Sequence, residues 1–177
     1  LKQIKIPSSI SLIEESMFSN CSSLEELYLP DSLKRIDDYA FSNCKSLKKI
    51  TIPSSVESIG KHVFTGIPII YYFIVDPMNI KINESTFDKN CFIAHLILRT
   101  SNDTIIREKM KYFASCVSVE IGPPVTTIEN QAFKKFTTLY NVKIDPSVTS
   151  IKEGAFQECS MLDSITIPDN VTSIEKN

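Results

Sequence analysis

The chain has 177 residues, with 42% hydrophobic and 23% charged side chains and a formal net charge of -2. Those fractions exclude an intrinsically disordered polymer, and the lack of surplus Lys and Arg excludes a general binder of nucleic acid, whose phosphates require clustered positive charge. The longest apolar run, 67–75, carries a proline and two tyrosines and is far shorter than the ~20 residues a membrane span needs, so no membrane insertion is expected.

The elements follow one another with a fixed period. At the start Gln3, Ile4, Lys5 and Ile6 alternate polar and apolar, Pro7 interrupts, and Ile13 and Phe18 follow. Every 23 residues the same pattern returns: Ile6, Leu29, Ile52, Val75, Leu98, Ile121, Ile144 and Ile167 form one apolar row. A second row, Ile13, Ile36, Ile59, Ile82, Ile105, Ile128, Ile151 and Ile174, is isoleucine throughout. A third runs Phe18, Phe41, Phe64, Phe87, Met110, Phe133 and Phe156. Self-similarity at such a period is the signature of a stacked-repeat architecture.

Within the second copy, Leu27 and Leu29 stand two apart, which is strand alternation, so they share one face while Glu26 and Tyr28 share the other. Pro30 removes a ladder donor and turns the chain, Leu33 and Ile36 return to the core, and 37–44 reads as a short helical turn that carries Phe41 inward. One copy cannot bury enough apolar surface to offset the ordering of its backbone, so the copies must stack. The expectation is one domain over 1–177, of about seven and a half repeats without caps at either end, whose eight strands form one concave parallel sheet. The template degrades in the fourth and fifth copies: the turn proline is displaced to Pro77 and then lost at Arg99, Asn79 and Asn102 stand where other copies have an apolar residue, and Lys109 takes a small-residue position.

The pattern L-x-x-I-x-I-P-x-S-V-x-S-I-x-x-x-A-F-x-x-C, readable at 47–64 and 162–174, resembles the BspA-like leucine-rich repeats found in surface proteins of host-associated bacteria and parasitic protists. The resemblance covers essentially the whole chain. It implies an α/β leucine-rich-repeat solenoid, right-handed, with a concave β-sheet and short helical or 3-10 turns on the convex side. It further implies display at the cell surface or secretion, adhesion to host matrix proteins or cells, and no catalytic residues. An intracellular, cytoplasmic scaffold and a structural stalk without a ligand are the alternatives.

Chemistry sought independently of the resemblance is sparse. Four glycines cannot hide a glycine-rich phosphate loop. His62 and His95 fall in different positions of different repeats, with no cysteine or carboxylate at metal-ligand spacing, and the adjacent pairs Glu14-Glu15 and Asp37-Asp38 read as solvated. No metal, cofactor or enzyme activity is expected. Cys21, Cys44 and Cys159 share one repeat position, Cys116 replaces a leading leucine, and Cys91 is one residue off register; the expectation is free thiols in the core, with a Cys21–Cys44 disulfide as the alternative. Asn20, Asn83, Asn102 and Asn170 open Asn-x-Ser/Thr sequons that would accept glycans in a secreted eukaryotic protein.

Strand residues pointing away from the core line the concave face, where solenoids bind their partners. Across the fourth and fifth strands Tyr71, Tyr72, Ile74, His95 and Ile97 fall on that face, with Tyr28 two strands away, and together they predict an apolar, aromatic patch for a protein ligand.

Overall fold

The computed structural model describes residues 1–76, 79–100 and 103–176. Two compact units divide the chain: the first comprises Leu1–Val75 and Asn79–Phe92, the second Asp76 and the described part of Ile93–Asn177. Both are built from parallel ladders in which each strand pairs with the one a single repeat away.

The first unit contains β1 (Gln3–Lys5), β2 (Leu12–Ile13), β3 (Glu26–Tyr28), β4 (Arg35–Ile36), β5 (Lys49–Thr51), β6 (Ser58–Ile59), β7 (Ile69–Val75) and β8 (Lys81–Ile82). The order β1-β3-β5-β7 makes its main sheet, with Gln3 opposite Glu26, Glu26 opposite Lys49 and Lys49 opposite Tyr72. A second ladder, β2-β4-β6-β8, aligns Ile13, Ile36, Ile59 and Ile82. The isoleucine row was thus more than a set of returns to the core, since each isoleucine ends a two-residue strand of its own.

The second unit holds all but the first residue of β9 (Phe92–Leu98), then β10 (Thr104–Ile105), α1 (Arg107–Met110), a 3-10 turn at Lys111–Phe113, β11 (Cys116–Ile121), β12 (Thr127–Ile128), β13 (Asn141–Ile144), β14 (Ser150–Ile151) and β15 (Ser173–Ile174). Its main sheet runs β9-β11-β13, and its second ladder β10-β12-β14-β15. The eighth main-sheet strand expected near Ile167 does not form; 162–168 is irregular, and Ser164 and Thr166 are exposed.

Ladders turn at a common point. The carbonyls of Pro7, Pro30, Pro53, Gly122, Asp145 and Pro168 each accept from the N–H three residues on, so the chain reverses in a β-turn after β1, β3, β5, β11 and β13, and again at Pro168. Proline suits that first position because the turn asks nothing of its missing N–H. Core packing follows the rows. Phe18, Phe41, Phe64 and Phe87 stack face to face through the first unit, with centroids 5.6, 6.2 and 5.3 Å apart. In the second unit Phe133 stacks on Phe156 at 5.2 Å, and Met110 is fully buried in the phenylalanine position.

Two further expectations need correction. The returns opposite the main sheet are mostly not helical: only the fifth repeat makes α1 and a 3-10 turn among the described residues. In five of the other repeats two left-handed residues bend the chain, Ser16, Tyr39, His62, Gln131 and Gly154 in one row and Asn20, Asn43, Gly66, Lys135 and Glu158 in the other. Left-handed backbone breaks α-helical hydrogen bonding, and it turns the N–H groups of Ser16, Phe18 and Asn20 onto the carbonyls of Asp38, Ala40 and Ser42 in the next coil. Second, Asn79 does not occupy the apolar position; it is exposed, and Ile80 is buried instead at 2% exposure. A buried unpaired amide would cost ~1 to 3 kcal/mol, and a one-residue shift avoids it. Pro77 and Asn102 lie outside the described residues. Lys109 takes the small-residue position as expected and is half-buried there, whereas Thr86, one repeat earlier, is fully buried with its hydroxyl donating to Gly60 O at 2.7 Å.

Candidate protein-binding face

On the first unit's main sheet, alternation sends Leu27 and Ile50 inward and Glu26, Tyr28, Lys49 and Thr51 outward. Tyr28, Tyr71 and Tyr72 are 49, 47 and 46% exposed. Ile74, opposite Thr51 in register, is only 7% exposed, so it supports the sheet and offers no free contact surface. Alternation fixes which way a side chain points; it does not fix how much solvent reaches it.

Charge on this face is organised in rows across the strands. Glu25 lies between Lys2 and Lys48, at 3.4 and 3.0 Å. The hydrogen bond and charge of Lys48, then those of Lys2, hold the Glu25 carboxyl below the ordinary carboxylate range. Glu26 accepts from the Tyr28 hydroxyl at 2.8 Å and from Gln3 Nε2 at 3.1 Å, and the carboxylate beside it raises the Tyr28 phenol above its ordinary value. An open hollow of roughly 350 Å³ lies over Glu26, Tyr28, Lys49 and Thr51, and a second of roughly 230 Å³ over Glu25, Lys45, Lys48 and Tyr71.

In the second unit His95 is exposed and Ile97 half-buried, opposite Ser118 and Glu120 in register. The more exposed apolar groups on that unit's sheet are Val117 at 37% and Tyr140 at 58%, which the sequence reading left out of its patch. Both sit in the repeat position of Tyr71, and that shared position was the signal available. Lys143 pairs with Glu120 at 3.3 Å beside them.

The remaining candidates have ordinary environments. His62 stacks on Tyr39 at 5.0 Å, each with a positive φ on the turn side. All five cysteines are free, four of them buried and Cys21 half-buried. Burial pushes the Cys44 and Cys91 thiols up to about 12 and raises those of Cys116 and Cys159. Asn20 is exposed, and its amide is engaged by Ser19 and Asn43 at 3.1 and 3.2 Å. Asn83 accepts from Ser85 N–H at 3.0 Å, and Asn170 donates to Pro146 O at 2.8 Å; the Asn102 sequon is outside the described residues. Among the described residues no group of His, Cys, Asp and Glu is placed to hold a metal ion, and no helix is long and apolar enough to cross a membrane.

One solved structure shares this architecture, and others match it more loosely. A leucine-rich repeat protein from Eubacterium ventriosum superposes with a TM-score of 0.54 at 21% identity, covering 97% of this chain and 56% of that one. A leucine rich repeat protein of T. pallidum matches at 22% identity over 90% of this chain and 64% of its own, with a TM-score of 0.49. A leucine rich cell surface protein from Faecalibacterium prausnitzii matches at 21% identity over 93% and 59%, with a TM-score of 0.40. The chain therefore spans between 56 and 64% of the length of these structures. No curated protein matches it in sequence. The model of the BspA type leucine rich repeat region matches in six copies over residues 1–120 and 104–177, and with its parallel ladders and 23-residue rows the chain belongs to that family.

Proposed function

We propose that the chain is a non-enzymatic scaffold that binds protein through the outward face of its main-sheet strands, as part of a surface adhesin or receptor-type ectodomain contacting host or matrix proteins. The observation that carries this reading is the placement of Tyr28, Tyr71 and Tyr72, each nearly half exposed, on one sheet face among hydrogen-bonded charges. Large aromatic groups with a polar tip, rimmed by polar side chains, are the usual anchors of protein interfaces. The surface setting comes from the resemblance of the repeats to those of surface proteins.

The test is binding of the chain to immobilised extracellular-matrix proteins and to host cells, beside a Tyr28→Ala, Tyr71→Ala, Tyr72→Ala variant whose circular dichroism and urea midpoint match the parent. Loss of binding in the variant supports the adhesive face. Binding unchanged in the variant overturns this face as the site, and no binding by the parent overturns the adhesive reading and leaves a stalk without a ligand.

A further inference from the structure

The partner's chemistry is legible in how charge is divided on the first unit, an inference that rests on the protein-binding reading above. That unit carries ten Lys and Arg and ten Asp and Glu, so it is formally neutral. The balance is not local. Along the main-sheet rows Lys2, Lys5, Lys48 and Lys49 face two acids, Glu25 and Glu26, and acids exceed bases by the same margin over the rest of the unit.

The two acids are already occupied within the fold. Glu25 is held by Lys2 and Lys48, and Glu26 by Tyr28 and Gln3. Lys5 and Lys49 are exposed, and neither ammonium group has an ion pair or hydrogen bond among the described residues. Register places each beside an exposed tyrosine, Lys5 opposite Tyr28 on β1 and β3, and Lys49 opposite Tyr72 on β5 and β7. The unpaired cations and the exposed rings therefore form two Lys–Tyr pairs, two strands apart and offset by two residues along the strands, which sets the two lysines roughly 12 Å apart.

We propose that this face takes an acidic, aromatic or apolar stretch of a protein partner in extended form. Its carboxylates pair with Lys5 and Lys49 while its apolar side chains lie on Tyr28, Tyr71 and Tyr72. Residues four apart share one face of an extended peptide and stand roughly 13 Å from each other, which brings two carboxylates to Lys5 and Lys49 together, and a basic partner would meet uncompensated like charge, which opposes docking.

The experiment titrates the whole chain with three fluorescent twelve-residue peptides, repeats of Glu-Ser-Tyr-Ser, Gln-Ser-Tyr-Ser and Lys-Ser-Tyr-Ser (Glu-Tyr, Gln-Tyr and Lys-Tyr below), whose charged or amide and aromatic side chains share one face when extended, and with heparin, at low and high salt. The expected result is that Glu-Tyr binds about tenfold or more tighter than Gln-Tyr, that salt erodes the difference, and that Lys49→Glu abolishes it while Lys34→Glu, on another face, does not. Equal binding of Glu-Tyr and Gln-Tyr, preference for Lys-Tyr, tighter capture of heparin than of any peptide, or no peptide binding at all would each overturn the acidic-segment proposal. The adhesive reading fails separately, through the matrix and cell assay with the tyrosine variant.

Discussion

The rings of Phe41 and Phe64 lie 6.2 Å apart with their planes 8° from parallel, one repeat on from each other in a four-ring column. Both are fully buried, so each ring fills the floor of its neighbour's layer. Phe41→Ala removes contacts on two sides, with Phe18 as well as Phe64, and should cost about 3 to 5 kcal/mol. Phe18→Ala, at a half-buried position, should cost distinctly less. Urea denaturation followed by circular dichroism reads the difference, and equal losses would show that the column does not transmit packing from coil to coil.

Two glycines should respond in opposite ways. A Cβ on Gly60 would lie 2.7 Å from Asp38 N and 2.9 Å from Asp37 C, so backbone must move, and Gly60→Ala should cost about 1 to 3 kcal/mol. Gly66 has φ +75, but the Cβ there would meet first the flexible Asn43 side-chain oxygen, and asparagine already occupies the same left-handed position at Asn20 and Asn43. Gly66→Asn should therefore lose less than ~1 kcal/mol. Melting temperatures of the two variants decide between this ranking and its reverse.

Cysteine reactivity should single out one residue. Cys44, Cys91, Cys116 and Cys159 are buried with raised thiol pKa values, so at pH 8 only the half-buried Cys21 should alkylate quickly in the native protein, and all five in urea. Mass spectrometry after iodoacetamide counts the adducts. Raised thiols also bind their proton more tightly in the folded chain than in the unfolded one. Their contribution is complete below the ordinary value of 9.0 and is lost as pH climbs toward about 12 for Cys44 and Cys91, so stability should fall across that alkaline window.

Ile74 should behave as a core residue. At 7% exposure, Ile74→Ala should lower stability by about 2 kcal/mol or more. A binding change as large as that of Tyr72→Ala, with stability intact, would return Ile74 to the contact surface.

Sequence spacing made most of this fold readable because the core is periodic. Ile13, Leu33, Ile36 and Phe41 are fully buried where the rows place them. What escaped depended on interactions that spacing does not encode. Left-handed turns at Tyr39 and Gln131 are made by residues with no special preference for that conformation, and they are held by hydrogen bonds to the following coil rather than by local propensity. The exchange of Asn79 for Ile80 required weighing burial against register across a single loop. On the candidate face the outward direction of Tyr28 and Tyr72 followed from alternation, whereas Tyr71 breaks it, exposed beside Tyr72 between the buried Ile70 and Phe73. The depth of Ile74 and the prominence of Tyr140 depended on neighbours that one repeat cannot reveal.

The hydrogen bonds of the left-handed turns have a direction. Ser16, Phe18 and Asn20 give their N–H groups to the coil that follows, as do Tyr39, Phe41 and Asn43, and in the second unit Gln131, Phe133 and Lys135. Each of these coils thus presents donors along this side toward its successor and acceptors toward its predecessor. Gain or loss of a whole 23-residue unit leaves every donor facing an acceptor, whereas a change of one or two residues in these turns sets donors against the wrong groups along the entire line. Evolutionary change in length is thereby restricted to whole-coil steps, and a binding face can be lengthened or shortened without redesign of the scaffold beneath it.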